Sequence, residues 1–423
     1  MIKVGSDFSG VGAFNQALNR LGIDYKEVFA CDMDKYARQT FIYNYGEPEY
    51  YPTNVYEREI PTESLDIYMT SPPCQAFSLA GKRLGKDDKR GILFFNSHEF
   101  IQVNKPRFFI FENVKGLLSD NGGRTFQEWV NMLGGKSVNG VPILFPYEDA
   151  VPYHLYWQVL NAKHHGVPQN RERVFLIGIR DDADNKFRFP AEEVLTKRLK
   201  DVLESEVDEK FFLSDKMISY ISKDRQGNEN LVVNREVANA ITCEIKKMQR
   251  SMQDNYIKIN SANSKGYEEA TEGDSINLEF PESKTRRGRV GKGVAQTLDT
   301  GCNQGVICGA IRGRGENNEQ TLELNSDDYT NSITTVQKDN VIVHNCITEA
   351  IGRQGSSSEY IDSCKKVYQS THQIRRLTPR ECFRLMDFPD TFTWPVSDSQ
   401  AYKQAGNSIV VNVLYKILKN LNL

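Results

Sequence analysis

Ile2-Lys3-Val4-Gly5-Ser6-Asp7-Phe8-Ser9-Gly10-Val11-Gly12 runs directly into Ala13-Phe14-Asn15-Gln16-Ala17-Leu18-Asn19-Arg20-Leu21. The first half is a short apolar run ending in a glycine turn. The second spaces its apolar residues for one helical face until Gly22 stops it. The chain then repeats this order. Glu27-Val28-Phe29-Ala30-Cys31 predicts a second strand, which leads through Asp32 and Asp34 into a helix from Tyr36 to Tyr45. Leu65-Asp66-Ile67-Tyr68-Met69-Thr70 predicts a third strand and Arg107-Phe108-Phe109-Ile110-Phe111 a fourth. Tyr156 to Leu160 and Val174-Phe175-Leu176-Ile177-Gly178-Ile179 follow as further strands. Strand and helix in alternation over this length predict an α/β fold with a mainly parallel sheet, whose ligands bind past the strand ends.

The polar residues gather at those ends. Ser71-Pro72-Pro73-Cys74-Gln75-Ala76-Phe77-Ser78 sets a cysteine behind two prolines at the end of the third strand. Proline fixes φ and pushes its predecessor toward extended backbone, so Cys74 emerges from a stiff elbow. A thiolate is the reactive form of cysteine, and a rigid loop is a sensible place to present one. Taken alone, a buried structural cysteine is the commoner case. Phe8-Ser9-Gly10-Val11-Gly12 lies where a parallel sheet cradles a nucleotide-like ligand, but Asn15 stands at the third position of the dinucleotide fingerprint. An adenosine ligand without phosphates fits better than a pyrophosphate, and Asp32 has the spacing of an acid that accepts from ribose hydroxyls. Glu112 at the fourth strand's end and Arg171 and Arg173 in Gln169-Asn170-Arg171-Glu172-Arg173 complete the set. A thiolate, a carboxyl able to donate a proton and an arginine suggest adding sulfur to a heterocycle while a ring nitrogen is protonated.

The 423 residues leave room for two or three domains, and 39% apolar with 26% charged residues is ordinary for a globular cytosolic protein. Met1-Ile2-Lys3-Val4-Gly5 lacks the basic start and apolar run of a signal peptide, and no stretch is apolar for the length a bilayer demands. A cytoplasmic protein is expected. The eight cysteines (31, 74, 243, 302, 308, 346, 364 and 382) include no Cys-x-x-Cys pair, so neither zinc nor a disulfide framework is indicated. His164-His165 has no partner at ligand spacing and reads as non-metal. A net charge of -3 gives no global nucleic-acid signature, so any binding face must be local.

After about Pro190 the texture becomes richer in Glu, Lys, Asn, Ser and Thr, which marks a second domain. A weak repeat crosses it at Val237 to Thr242, Val294 to Thr300 and Ser332 to Val336, each copy followed by an Asn and an apolar strand. Hydroxyl-decorated β-hairpins and chance similarity explain these copies about equally well. The segment from Gln404 to Leu414 reads as one capped apolar helix.

Six blocks now stand in order: Asp7 to Gly12, Ser71 to Gln75, Glu112-Asn113-Val114, Gln169 to Arg173, Arg376-Leu377-Thr378-Pro379-Arg380-Glu381-Cys382 and Gln404-Ala405-Gly406-Asn407-Ser408. In order and rough spacing they resemble the motif series of DNA (cytosine-5)-methyltransferases of bacterial or phage type. The resemblance spans both ends of the chain and skips the middle. It implies a Rossmann-like methyltransferase domain using S-adenosylmethionine, with S-adenosylhomocysteine as product and no metal. It further implies that Cys74 adds to C6 of cytosine, so that C5 can attack the methyl group before a base removes the C5 proton and the thiolate leaves. Glu112 would contact N3 and the exocyclic amine, Arg173 the base O2, and Arg171 the neighbourhood of the nucleophile or a phosphate. Phe8, Ser9, Gly10, Gly12, Asp32, Met33 and Pro73 would contact the cofactor, with Asn407 and Ser408 closing the site. Where the family often has an aspartate near adenine this chain offers Asn54, with Thr53 as a rival alignment.

The motif order implies a discontinuous catalytic domain of residues 1–190 plus 400–423. It leaves 191–399, including the Arg376 to Cys382 block, as an inserted, smaller β-rich target-recognition domain. Double-stranded DNA is the implied partner, bound by a monomer. Arg286, Arg287 and Arg289 could neutralise phosphates, an ordinary solvated loop being about as good a reading of that run. Thr297 with Leu298 resembles a Thr-Leu pair of the family's recognition regions, with Thr334-Thr335 as competitor. The glycine-bounded loop from Gly81 to Gly91, carrying Lys82 and Arg83, is expected to close over a flipped base. Either a restriction-modification system, with a separate cognate endonuclease, or a solitary or phage methylase is compatible. A tRNA cytosine-5 methyltransferase of the same lineage is the rival reading, and the long insertion favours duplex DNA. Amino-group methyltransferases present an aromatic after Pro-Pro, so Cys74 argues against them.

Overall fold

The computed structural model describes residues 1–73, 93–183, 186–213, 257–270, 273–279, 285–298, 300, 304–309, 372–421 and 423. Cys74, Lys82, Arg83 and the rest of the loop 81–91, and the repeat copies at 237–242 and 332–336 lie outside the described residues. The chain divides into two compact units: residues 1–204, 294–302 and 378–423 form the first, and 205–293 and 303–377 the second.

The first unit is built on one sheet. In chain order its strands are β1 (Ile2–Asp7), β2 (Tyr25–Cys31), β3 (Ile67–Thr70), β4 (Phe108–Val114), β5 (Ser137–Val138), β6 (Val141–Pro142), β7 (Tyr153–Asn161) and, past the short β8 (Gln169–Asn170), β9 (Glu172–Arg180). They lie in the order β2-β1-β3-β4-β9-β7-β5-β6. Pairing is parallel from β2 to β4 and antiparallel where β9 joins β4 and β7. All six predicted strands form. The parallel half requires crossovers, and the helices supply them. They are α1 (Ala13–Leu21), α2 (Lys35–Tyr45), α3 (Leu93–Asn104) and α4 (Arg124–Leu133). α1 begins at Gly12 and ends at Gly22, both left-handed. α2 is capped by the Asp34 carboxylate, which accepts from the amides of Tyr36 at 2.9 Å and Ala37 at 3.3 Å. α3 and α4 bury Phe94, Phe100, Phe126, Trp129 and Leu133 in one core with Phe29, Tyr68, Phe109 and Phe111 of the sheet.

Past the insertion come α5 (Pro379–Leu385), α6 (Asp398–Asn407) and α7 (Val411–Lys419). The single helix expected from Gln404 to Leu414 is therefore two, broken at Ser408 to Val410. Ser408 and Val410 are extended (ψ 162° and 117°), and the β-branched Ile409-Val410 pair suits that backbone. The boundary expected at residue 400 also moves. α5 and its exit pack in the first unit, where the Val411 amide donates to Met386 O at 2.9 Å and Arg20 forms an ion pair with Asp387. Residues 191–204 stay there too, with the Glu204 amide donating to the Glu381 carboxylate at 2.7 Å.

The described part of the second unit is β-rich: β10 (Ile257–Asn260), β11 (Tyr267–Ala270), β12 (Ser275–Asn277), β13 (Val290–Gly291), β15 (Gln304–Gly309) and β16 (His372–Arg376). β10 pairs with β11, and a second sheet runs β13-β12-β15-β16. Ile259, Ala270, Ile276 and Leu278 form its core. The one described repeat copy, β14 (Ala295–Gln296), pairs in parallel with β8 of the first unit's own residues and so does not form a hairpin with its neighbours.

Candidate active site

The first loop is held in an unusual backbone. Phe8, Gly10 and Gly12 have φ of 58°, 55° and 83°. A Cβ on Gly12 would lie 2.3 Å from the Tyr45 ring, so this position requires glycine for shape as well as conformation. The Asp32 carboxylate braces the loop by accepting from the Gly10 amide and from the Asp34 amide, each at 2.8 Å. Burial pushes the Asp32 carboxyl above its ordinary range, and those two amides oppose it. Next to it Met33 is 85% exposed, an apolar side chain left uncovered at a strand end. Ser9 Oγ lies 3.2 Å from Tyr51 Oη. Asn54 closes its own turn: its oxygen accepts from the Tyr56 amide and its amide donates to Glu57.

The last helices meet the same region. Lys403 of α6 pairs with Asp34 at 2.6 Å, and Gln404 Oε1 accepts from Thr40 of α2 at 3.0 Å. Burial raises the Asp34 carboxyl, but Lys403 and the α2 amides outweigh it and hold the group below the ordinary range. Asn407 is exposed and Ser408 buried at the break after α6.

The carboxyl side of the site grows from β4. Parallel pairing sets Thr70 against Phe111, so the Pro-Pro elbow leaves beside Glu112-Asn113. Asn113, 2% exposed, donates to Pro72 O at 3.3 Å. Glu112 is buried and forms an ion pair with Arg173 of β9, Nε to Oε1 3.1 Å. Burial pushes the Glu112 carboxyl above its ordinary range while Arg173 and then Arg171 pull it down. Burial and the two arginines therefore act in opposite directions on this carboxyl, the kind of balance found at functional sites.

Arg171 has a different post from the one expected. Its buried guanidinium donates to three backbone carbonyls, Leu298 (3.0 Å), Gly406 (3.0 Å) and Ser408 (2.8 Å). The preceding Gln169 bonds Leu385 O at 2.6 Å and accepts from the Leu298 amide at 3.3 Å. Thr297 Oγ1 donates to Asn170 O at 2.8 Å, so its hydroxyl serves this junction. The sequence set Gln169, Arg171 and Arg173 in one block, but the carbonyls that Gln169 and Arg171 meet were not legible in it. Within the second unit, Arg286 pairs with Glu279, Arg287 donates to Ala262 O and Arg289 is fully buried. Burial corrects the expectation that Arg289 presents its charge to a phosphate. Among the described residues no group of three or more His, Cys, Asp or Glu is placed to hold a metal.

The sequence profile of C-5 cytosine-specific DNA methylases matches residues 2–422. The chain belongs to that family. Among relatives of this methylase, orphan methyltransferase M.SPRI of Bacillus phage SPR is 31% identical, over 99% of this chain and 97% of the relative. Type II methyltransferase M.HpaII of Haemophilus parainfluenzae is 29% identical, over 98% of this chain and 88% of the relative. Among solved structures, a DNMT2 mutant of Spodoptera frugiperda has a TM-score of 0.55 at 19% identity, with both chains fully covered, which shows a shared fold. The methylase is a DNA cytosine-5 methyltransferase, and its mostly parallel central sheet is the Rossmann-like fold expected. No described helix is long and apolar enough to cross a membrane.

Proposed function

We propose that this methylase moves a methyl group from S-adenosylmethionine to C5 of a cytosine flipped out of duplex DNA, through a covalent adduct of Cys74 with C6. The observation that carries the reading is the buried Glu112 and Arg173 pair beside Asn113, whose side chain holds the carbonyl of Pro72 two residues before Cys74. The Cys74 thiolate bonds to C6, and the displaced ring electrons make C5 nucleophilic while Glu112 gives a proton or hydrogen bond to N3. Arg173 orients Glu112 and contacts the base O2. C5 takes the methyl group as its bond to sulfur breaks and S-adenosylhomocysteine is left; a base then takes the C5 proton, the C5–C6 double bond reforms, N3 returns any proton to Glu112 and the cysteine sulfur leaves. A stacked base hides C6 from any side chain, so the cytosine must leave the helix at a cost of a few kcal/mol.

The donor fits the residues present. Open space next to Gly10, the braced Asp32 and the bare Met33 together suit an adenosine group carrying no phosphate. Phe8, Ser9, Gly10, Gly12, Asp32, Met33 and Pro73 would hold it, with Asn407 and Ser408 at the far wall. Bound there, S-adenosylmethionine supplies a methyl cation equivalent on its sulfonium. The second unit is proposed as the target-recognition part, with Lys82 and Arg83 closing over the base. We assign the protein to sequence-specific DNA modification as a monomer, in a restriction-modification system or as a solitary or phage methylase.

The test is Cys74→Ala with labelled S-adenosylmethionine and bacterial DNA free of 5-methylcytosine. Methylation should vanish, and wild type should be trapped covalently on the same DNA carrying 5-fluorocytosine, because fluorine cannot leave as a proton does. Retained methylation by the variant would sink the covalent step.

A further inference from the structure

Asp7, the last residue of β1, buries its carboxylate immediately before the donor loop. Arg58 grips it with two parallel bonds, Nε to Oδ1 at 3.0 Å and Nη2 to Oδ2 at 3.1 Å, and Tyr68 Oη donates to Oδ2 at 2.6 Å. The side chains of the ion pair are 2% and 0% exposed. The guanidinium lies 4.6 Å from the centre of the Phe100 ring, on which Tyr68 stacks at 4.1 Å. Burying an ion pair contributes little net stability compared with apolar residues of the same volume, so the network calls for a further reason.

Connectivity supplies it. Each of its members leads to a different wall of the site. Asp7 precedes Phe8, a non-glycine residue at φ 58° that persists only where its surroundings over-determine it. Tyr68 lies on β3, which ends at the Pro-Pro elbow, and Asp7 is in register with Thr70 on that side and Cys31 on the other. Arg58 follows the segment whose Pro52 carbonyl accepts from the Asp32 amide at 3.3 Å. Downstream of Phe8 the loop is tied by the Ser9 amide to Cys31 O at 3.0 Å and by Gly10 to Asp32. Upstream, the Asp7 network is its anchor.

We propose that Arg58 and Tyr68 are positioning residues for methyl transfer, acting through Asp7 to hold Phe8 and the glycine loop in the shape that receives the donor. This rests on the donor reading above. Neither residue touches substrate. Their effect falls on donor affinity, because the segment they hold is the donor's wall.

The experiment is calorimetric titration of the full chain with S-adenosylhomocysteine, comparing wild type, Tyr68→Phe and Val151→Ala. Tyr68→Phe keeps the ring on Phe100 and deletes one of the three bonds to Asp7. Val151 is buried just before β7, four strands from β1 across the sheet, and serves as a control for general destabilisation. Tyr68→Phe should weaken binding about tenfold, the worth of one bond to a charged group, and raise KM for the donor more than it lowers kcat. Val151→Ala should lose thermal midpoint without losing affinity. Tyr68→Phe binding as wild type does, or both variants weakening alike, would overturn the proposal. Failure of wild type itself to bind would overturn the donor reading, and the proposal with it.

Discussion

Replacing Arg171 by methionine keeps most of the side-chain volume and removes the guanidinium. Three backbone carbonyls then lose their donor at once: Leu298, Gly406 and Ser408, now bonded at 3.0, 3.0 and 2.8 Å. An unsatisfied buried group costs roughly 1–3 kcal/mol, so the three together approach about 3–9 kcal/mol. Removing the buried cation also removes its own desolvation cost, which offsets several kcal/mol. The net expectation is roughly 1–5 kcal/mol, to be set against the roughly 5–15 kcal/mol that holds a typical protein folded. Urea unfolding followed by tryptophan fluorescence measures it, because Trp129, Trp157 and Trp394 all lie in the first unit. Arg171→Lys should fall between, since an ammonium lacks the planar fork that reaches separate acceptors. If Arg171→Met unfolds at the urea concentration of wild type yet loses turnover, Arg171 acts in the chemistry and not as a strut.

Two further outcomes are expected. Gly12→Ala places a methyl group 2.3 Å from the Tyr45 ring at a left-handed position, which should cost about 1–3 kcal/mol and weaken S-adenosylhomocysteine binding; an unchanged thermal midpoint would refute the steric account. His165 is fully buried, with neither ring nitrogen bonded among the described residues, and burial followed by nearby Lys416 pushes it below its usual 6.5. The unfolded chain therefore takes up the proton first as pH falls, so stability should be full above 6.5 and decline below it; His165→Leu should flatten that part of a urea-stability profile, and an unchanged slope would refute the assignment.

Much of the fold was legible in the sequence because strands buried on both faces read as apolar runs, and Phe108 to Phe111 could hardly be anything else. The start of α2 was legible from local chemistry at Asp34, whereas the capping box that Thr378 closes on Glu381 emerged with the structure. The break after α6 was not legible, because the group that takes up the carbonyls of Gly406 and Ser408 there is a guanidinium more than two hundred residues away. Nor was the place of residues 294–298, which the neighbouring texture assigned to the insertion and which β8 claims for the first unit.

The sequence by itself determined the chemistry at stake: a cysteine on a proline elbow, a carboxyl and two arginines at strand ends, and a glycine loop in a fixed order. Residue type and local spacing carry that information, since reactivity and turn geometry are properties of a few neighbouring residues. Tertiary structure decided the division of labour among them. It paired Glu112 with Arg173, set Arg171 on three backbone carbonyls, turned Arg289 inward and placed the buried Asp7 pair just before the glycine loop. Those roles depend on burial and on partners far away in sequence, and only the packed chain fixes either one.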